Sequence, residues 1–389
     1  MSSTAGAQDD PWEQATVGLP TPLVAVDLDR FDANAASLVE RAGGLPIRVA
    51  SKSVRCRTLL ERVLSRPGFA GVMAYAVPEA VWLAGAGVRD VFVAYPSVDV
   101  DALGALAADE ALRAEVTVAI DSVEHVRWLR DALGEGVTGL RVALDVDASL
   151  RVGSLHLGVR RSPTRTPQDA LAVVRAALGV GLDVRGVMFY DAQVAGLPDS
   201  GPHIRLLKRR SVRELRERRA AVVEAVRTET DLAFVNAGGT GSLHLFAGDP
   251  VVTELAAGSG LYSPTLFDGY DDLDGRPSMA YAVPVVRRPA PGHVTAYGGG
   301  YVASGQPGWS RVPSPVRRGL ALVRSEAAGE VQTPLHGTDA DHLSIGDRVW
   351  MRGAKAGELL ERFDTVHLVR GGALVDSVPS YRGEGRNFG

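Results

Sequence analysis

Eight short apolar runs, most of them followed by a stretch long enough for a helix, occupy the chain up to about residue 270 and limit what it can fold into. They are residues 46–50 (Pro-Ile-Arg-Val-Ala), 71–75 (Gly-Val-Met-Ala-Tyr), 91–95 (Val-Phe-Val-Ala-Tyr) and 116–120 (Val-Thr-Val-Ala-Ile). The remaining four are 141–146 (Arg-Val-Ala-Leu-Asp-Val), 184–190 (Val-Arg-Gly-Val-Met-Phe-Tyr), 232–236 (Leu-Ala-Phe-Val-Asn) and 252–258 (Val-Thr-Glu-Leu-Ala-Ala-Gly). Helical periodicity fills the intervals, for example over residues 78–87, 122–133 and 204–228. Near-continuous apolar strands alternating with helices are the pattern of parallel strands buried on both faces. Eight of them predict a closed barrel rather than an open sheet.

An earlier run, residues 23–28 (Leu-Val-Ala-Val-Asp-Leu), falls outside that set. Beyond residue 270 the texture changes to alternating, turn-punctuated segments at 279–288, 293–297, 319–324, 330–335, 347–351 and 365–378, the last broken by a hairpin at Arg370-Gly-Gly. The predicted architecture is therefore α/β, a parallel (β/α)8 TIM-type barrel over residues 24–270 with a separate antiparallel β domain from residues 1–23 and 271–389. The run at 23–28 could itself pair with that β domain, so that the barrel is inserted between two parts of it.

Composition excludes several function classes. With a net charge of −4 and its main basic run, Lys208-Arg-Arg, on a long amphipathic pattern, the chain does not read as a nucleic-acid binder. One cysteine, Cys56, rules out an internal disulfide and a cysteine zinc cluster. No apolar run is long enough to span a bilayer, and the polar, acidic residues 1–10 lack the pattern of a signal peptide, so a cytoplasmic protein without a membrane partner is expected.

The chain carries only three lysines, Lys52, Lys208 and Lys355, among 42 basic residues. Arginine replaces lysine as a surface cation but cannot serve as a nucleophilic amine. Lys52 closes the first barrel strand, where active sites of barrels lie. Its position alone fits a reactive amine and a solvated strand-end cation equally.

Other chemically useful residues fall at the same strand ends. Tyr75 and Tyr95 end the next two strands; Tyr190, Asp191 and Gln193 follow a later one; Asn236-Ala-Gly238-Gly239-Thr240-Gly241-Ser242 and Gly258-Ser259-Gly260 follow the last two. Glycine loops there can present backbone N–H groups and hydroxyls to phosphate oxygens, although one such loop also reads as a plain turn. A second loop on the adjacent strand and a barrel lysine favour a phosphate-bearing aldehyde cofactor, pyridoxal 5'-phosphate, held by phosphate contacts and a Schiff-base lysine. The candidate cofactor-binding set is Lys52, Arg48, Tyr190, Gln193, Asn236, Gly238, Gly239, Thr240, Gly241, Ser242, Gly258 and Ser259.

On the segments 21–28, 48–52, 235–242 and 254–259 the chain resembles the fold type III, alanine-racemase-like pyridoxal phosphate enzymes of the D-threonine aldolase and D-serine dehydratase branch. It is also similar to bacterial proteins labelled amino acid deaminase/aldolase, through Tyr297-Gly-Gly-Gly-Tyr301 and Ala354-Lys-Ala-Gly-Glu-Leu359. The resemblance implies a barrel plus β domain, a homodimer, and Lys52 as the lysine that holds the cofactor. It also implies a divalent metal near the substrate hydroxyl, ligated by a histidine and a second residue two positions later. Aligned with that region, this chain has Lys355 and Gly357, an ammonium and no side chain, so a divalent metal is not expected. His336 and His342 flank Asp339 and Asp341 in what reads as a solvated turn.

The function expected is a lyase acting on a β-hydroxy-α-amino acid of D configuration, by retro-aldol cleavage to glycine and an aldehyde, with Lys52 and Lys355 catalytic. Dehydration to a keto acid and ammonia remains open. So do a racemase, with Tyr297 or Tyr301 as second base, and a non-catalytic cofactor carrier.

Overall fold

The computed structural model describes residues 11–389. The acidic N-terminal segment, residues 1–10, lies outside the described residues. Eleven strands precede residue 260: β1 (Leu23–Asp27), β2 (Ile47–Ala50), β3 (Phe69–Ala74), β4 (Val91–Val93), β5 (Val116–Ile120), β6 (Arg141–Val146), β7 (Leu150–Val152), β8 (Leu155–Leu157), β9 (Asp183–Phe189), β10 (Phe234–Ala237) and β11 (Glu254–Ala257). Eight of these close a parallel barrel in the order β10-β11-β2-β3-β4-β5-β6-β9. All eight lie on the apolar runs read from the sequence. The hairpin β7–β8 was not foreseen, and it fills the connection between β6 and the helix Pro167–Gly179.

The helices around the barrel begin where the sequence supplies caps. Asp27 accepts from the backbone N–H groups of Asp29 and Arg30, and Thr166 forms a capping box with Asp169. Inside the barrel, Phe92, Ala94, Ala119, Ala143, Met188 and Phe234 form a small apolar core. Beside it the buried guanidinium of Arg48 bonds Glu254 at 2.7 and 2.8 Å and Asp90 at 2.9 and 3.0 Å, and lies 5.1 Å from the centre of the Phe234 ring.

The second sheet contains β12 (Met279–Ala290), β13 (His293–Tyr297), β14 (Ser314–Pro315), β15 (Ala321–Leu322), β16 (Gln332–His336), β17 (Arg348–Arg352), β18 (Thr365–Arg370) and β19 (Ala373–Pro379). Its main path runs β15-β16-β13-β12-β1-β18-β19, with β17 joining β12 and β14. One pairing departs from the expected antiparallel pattern, because β1 runs parallel to β18 with Val24 opposite Val366. A strand delivered from before the barrel has no hairpin to its neighbours, so nothing forces it to alternate in direction. The division at residue 24 cuts through this strand, and β1 pairs within the sheet while the chain continues from it into the barrel.

Candidate active site

The C-terminal ends of the barrel strands meet loops of the second sheet around a cavity of about 460 Å³. Its centre is set by β2. After Ala50 the chain makes a short 3-10 turn, Ser51–Ser53, held by the Ser51 hydroxyl donating to the Met73 carbonyl at 3.0 Å. That turn aims Lys52 into the cavity, where its Nζ donates to the Tyr95 Oη at 2.5 Å. The Lys52 carbonyl accepts from Arg55 Nε at 3.1 Å, so both ends of the turn are held.

The two glycine loops supply the opposite wall. Gly238 adopts φ +78°, a left-handed conformation that turns the chain after β10 and suits glycine. Thr240 Oγ1 accepts from the Gly260 N–H at 3.1 Å and lies 3.3 Å from Ser259 Oγ, so the two loops are bonded to one another. Gly258 lets its loop lie against β2, since a Cβ there would stand 2.5 Å from the Ala50 carbonyl oxygen. The result is a lip of hydroxyls and glycine backbone on adjacent strands, able to take an anion.

Of the residues singled out from the sequence, Lys52, Tyr190, Asn236, Gly238, Gly239, Thr240, Gly258, Ser259 and Lys355 line this cavity. Arg48, Gln193, Gly241 and Ser242 do not. Arg48 is spent on buried Glu254 and on Asp90, an exposed carboxylate of the loop before β4. Gln193 is buried and donates from Nε2 to the Ala148 carbonyl at 2.7 Å, tying two strand-end loops together. Ser242 is fully buried and accepts the Gly239 N–H at 3.1 Å, bracing the glycine loop from behind. Gly241 packs on Ala195, where a Cβ would come within 2.5 Å of the carbonyl oxygen.

The third lysine, Lys208, is nearly buried in an ion pair with Asp199 at 2.7 Å and does not line the cavity, its Nζ lying 4.7 Å from the ring centre of Tyr270, which does. Neither Tyr297 nor Tyr301 lines the cavity; Tyr301 packs against the rings of Tyr281 and Phe363. The acids near the histidine pair are committed elsewhere, Asp339 to Arg317 at 2.8 Å and Asp341 to the Gly292 N–H at 2.7 Å. Among the described residues no cluster of three or more His, Cys, Asp or Glu side chains is arranged to hold a metal ion.

Sequence reasoning missed several lining residues. Arg161, in the connection after the β7–β8 hairpin, places its guanidinium 5.0 Å from the centre of the Tyr190 ring and 5.7 Å from that of Tyr95. Behind it, burial pushes the Asp145 carboxyl up to about 7 despite the opposing charge of Arg161. Arg311 and Ser304 arrive from the loop between β13 and β14. No periodicity or motif marks Arg161 or Arg311, because both belong to irregular connections brought to the site by tertiary folding.

Lys355 enters from the loop after β17. Its Nζ lies 3.4 Å from Ser304 Oγ, and Glu358 accepts the Ser304 N–H at 2.8 Å. Burial, and then the charge of Arg311 and more weakly that of Lys52, push the Lys355 pKa down, while Glu358 opposes the shift. The cavity is strongly cationic for a protein of net charge −4: Lys52, Arg55, Arg161, Arg311 and Lys355 face it against the carboxylate of Glu358. Such a field favours anionic ligands.

Comparison with known proteins agrees with this architecture. The chain is 28% identical over 284 residues to the D-threonine aldolase of Arthrobacter sp, covering 70% of each chain. It is 26% identical over 266 residues to the 3-hydroxy-D-aspartate aldolase of Paracoccus denitrificans (strain Pd 1222), covering 66% of this chain and 64% of that protein. In three dimensions it superimposes on the D-threonine aldolase of Filomicrobium marinum with a TM-score of 0.78 at 22% identity, over 94% of this chain and 96% of that one. The D-threo-3-hydroxyaspartate dehydratase of Delftia sp. HT23 gives 0.72 at 19% identity, over 94% and 98%. Residues 26–265 match the family model described as alanine racemase, N-terminal domain. A match over that span, on a closed barrel with a lysine at the end of its first strand, means that the chain belongs to the alanine racemase N-terminal domain family.

Proposed function

We propose that the protein is a pyridoxal phosphate-dependent lyase that cleaves a D-β-hydroxy-α-amino acid to glycine and an aldehyde, or joins them in the reverse direction. The observation that carries this reading is the convergence of Lys52 and Lys355, from separate parts of the chain, on one cavity that also holds the hydroxyl and glycine lip. One lysine suffices to bind an aldehyde cofactor. The second supplies a cation for the reacting substrate.

The residues present fit pyridoxal phosphate. Thr240 and Ser259, with the backbone of Gly239 and Gly258, would hold its phosphate, and Glu358, the carboxylate lining the cavity, sits instead beside Lys355 and Ser304. Lys52 would provide the attaching amine, with Tyr190 and Arg161 as further walls. When bound, the cofactor supplies an electron sink conjugated to the substrate nitrogen.

This chain's own groups do the rest. Tyr95 accepts a hydrogen bond from Lys52 Nζ and so fixes the direction of the amine and offers it a proton acceptor or donor. The amine form of Lys355 takes the β-hydroxyl proton, and the ammonium so formed stays hydrogen-bonded to the β-oxygen and stabilises its negative charge until that charge leaves the oxygen as the Cα–Cβ bond breaks. Its depressed pKa favours that amine form, and the proton it takes from the hydroxyl is the one returned to the carbon that becomes glycine Cα. Gly357 leaves no side chain beside Lys355, so the cation acts without a neighbouring ligand. The reading carries with it the homodimer implied by resemblance, to be checked by sedimentation.

The test is a panel of D- and L-β-hydroxy-α-amino acids with aldehyde, keto acid and optical rotation scored separately. Aldehyde plus glycine from D substrates is the expected result. Keto acid and ammonia would replace the aldolase with a dehydratase, and loss of rotation alone would mean a racemase.

A further inference from the structure

We propose that Arg311 is the carboxylate anchor of this cavity, the residue that makes it select acids over simple amines; the proposal rests on reading the cavity as an amino-acid site. The argument starts from the counter-ions of the cationic wall. Arg55 is paired with Glu361, Arg161 lies over two aromatic rings with Asp145 near, and Lys355 has Glu358. Among the described residues Arg311 makes no ion pair; its Nη1 reaches only the Ser310 carbonyl and hydroxyl, both at 3.3 Å. Its Nε is buried and has no hydrogen-bond partner among the described residues. A guanidinium N–H left dry and unpaired is costly, and a ligand oxygen removes that cost.

The backbone around Arg311 is held while its head group is left without a counter-ion. The Arg311 N–H donates to the Gly308 carbonyl at 3.0 Å, and the Arg311 carbonyl accepts from Ala303 at 2.8 Å, closing the loop on itself. Gly305 marks where the head group lies. A Cβ built there would stand 3.1 Å from Arg311 Nε and 3.5 Å from Lys355 Nζ, so these two cavity-lining cations flank one point beside Gly305. Gly305 has φ +112°, which keeps that point clear of a side chain. A planar guanidinium offers a carboxylate two parallel hydrogen bonds, which an ammonium does not. Arg311 thus takes the acid group and leaves Lys355 to the neighbouring hydroxyl oxygen.

The carboxylate has two sources: the α-carboxylate of any amino acid, or the second carboxylate of a 3-hydroxyaspartate-like substrate. Three uncleavable amines distinguish them, because ethylamine, D-alanine and D-aspartate carry none, one and two carboxylates. Each is titrated by calorimetry into the cofactor-loaded wild type and into Arg311→Gln and Arg311→Lys. With an α-carboxylate anchor, D-alanine binds the wild type roughly tenfold to a hundredfold more tightly than ethylamine, Arg311→Gln abolishes that gain, and Arg311→Lys restores part of it. With a distal anchor, the gain lost in Arg311→Gln is the one between D-alanine and D-aspartate. Unchanged ratios in Arg311→Gln overturn the proposal. None of the probes has a β-hydroxyl, so discrimination that persists in a protein unable to cleave β-hydroxy amino acids would refute the lyase reading and leave the anchor standing.

Discussion

Gly357 rests directly on the main chain of Lys52: a Cβ built on Gly357 would lie 1.7 Å from the Lys52 carbonyl oxygen. The short 3-10 segment Gly357–Arg362 of the second sheet's loops is therefore seated on the turn that carries Lys52. The absence of a side chain at Gly357 lets this loop sit against the Lys52 turn, with Lys355, two residues earlier, lining the cavity. Gly357→Ala is expected to force these loops apart, at about 1–3 kcal/mol as for other overpacked contacts. Thermal unfolding should shift down by several degrees and turnover should fall. A variant with the wild-type melting temperature and activity would show that the contact is not rigid.

Lys52 is expected to be the attachment point of the cofactor. Borohydride reduction of the loaded protein should add the pyridoxyl mass to the peptide containing Lys52, and to neither the Lys208 nor the Lys355 peptide. Lys52→Arg should abolish turnover while circular dichroism stays unchanged, since arginine keeps the charge but cannot form the imine. Modification at Lys355 would exchange the roles of the two cavity lysines.

Cofactor affinity should depend on the hydroxyls that line the cavity more than on the one behind the loop. Thr240→Val and Ser259→Ala each remove a donor to phosphate, about 1.5–3 kcal/mol for a charge-assisted bond, and should weaken cofactor binding by roughly tenfold to a hundredfold. Ser242→Ala removes a brace on the Gly239 N–H rather than a group lining the cavity and should cost less. Equal affinities across the three variants, measured by cofactor titration, would place the phosphate elsewhere.

If Lys355 supplies the positive charge at the substrate oxygen, Lys355→Met should lower turnover by about 10²-fold or more, the scale for removal of one preorganised donor. Exhaustive chelation should leave wild-type activity intact. A requirement for added manganese or zinc, or a normal turnover number in Lys355→Met, would refute this role.

Stability should decline as pH rises through neutrality. Glu79 is fully buried, accepting the Tyr75 N–H at 2.8 Å and the Tyr381 hydroxyl at 3.0 Å, and burial pushes its carboxyl from 4.5 up to about 7 despite those bonds. The folded chain then holds a proton that the unfolded chain releases earlier. The associated stabilisation is complete below pH 4.5 and is lost as pH passes about 7, amounting to roughly 3 kcal/mol at about 1.4 kcal/mol per unit. Buried Asp145, raised to about 7, acts in the same sense. Melting temperatures measured from about pH 5 to pH 8 should fall, and Glu79→Gln should flatten the slope. A melting temperature that climbs over this range would contradict the assignment.

The barrel, and the placing of Lys52 at the mouth of its first strand, were legible in the chain itself. Continuous apolar runs separated by helix-length segments have few ways to bury both faces, and a lysine kept at a strand end in an arginine-rich protein stands out without any structure. The glycine loops could be placed for the same reason, since parallel strands put their following loops at one end of the barrel. Which way individual side chains point was not legible. All of β2 is buried, so its pattern could not say that Arg48 would turn to Glu254 and Asp90 while Lys52 reached the cavity. Gln193 and Ser242 lay in the right loops, yet both became braces behind them. Tyr95 became the partner of Lys52 only through closure of the barrel, and Arg161 and Arg311 reached the site from irregular connections. Periodicity reports how a segment meets the core, but convergence of distant loops depends on the sum of all the turns between them, and that is set only when the whole chain packs.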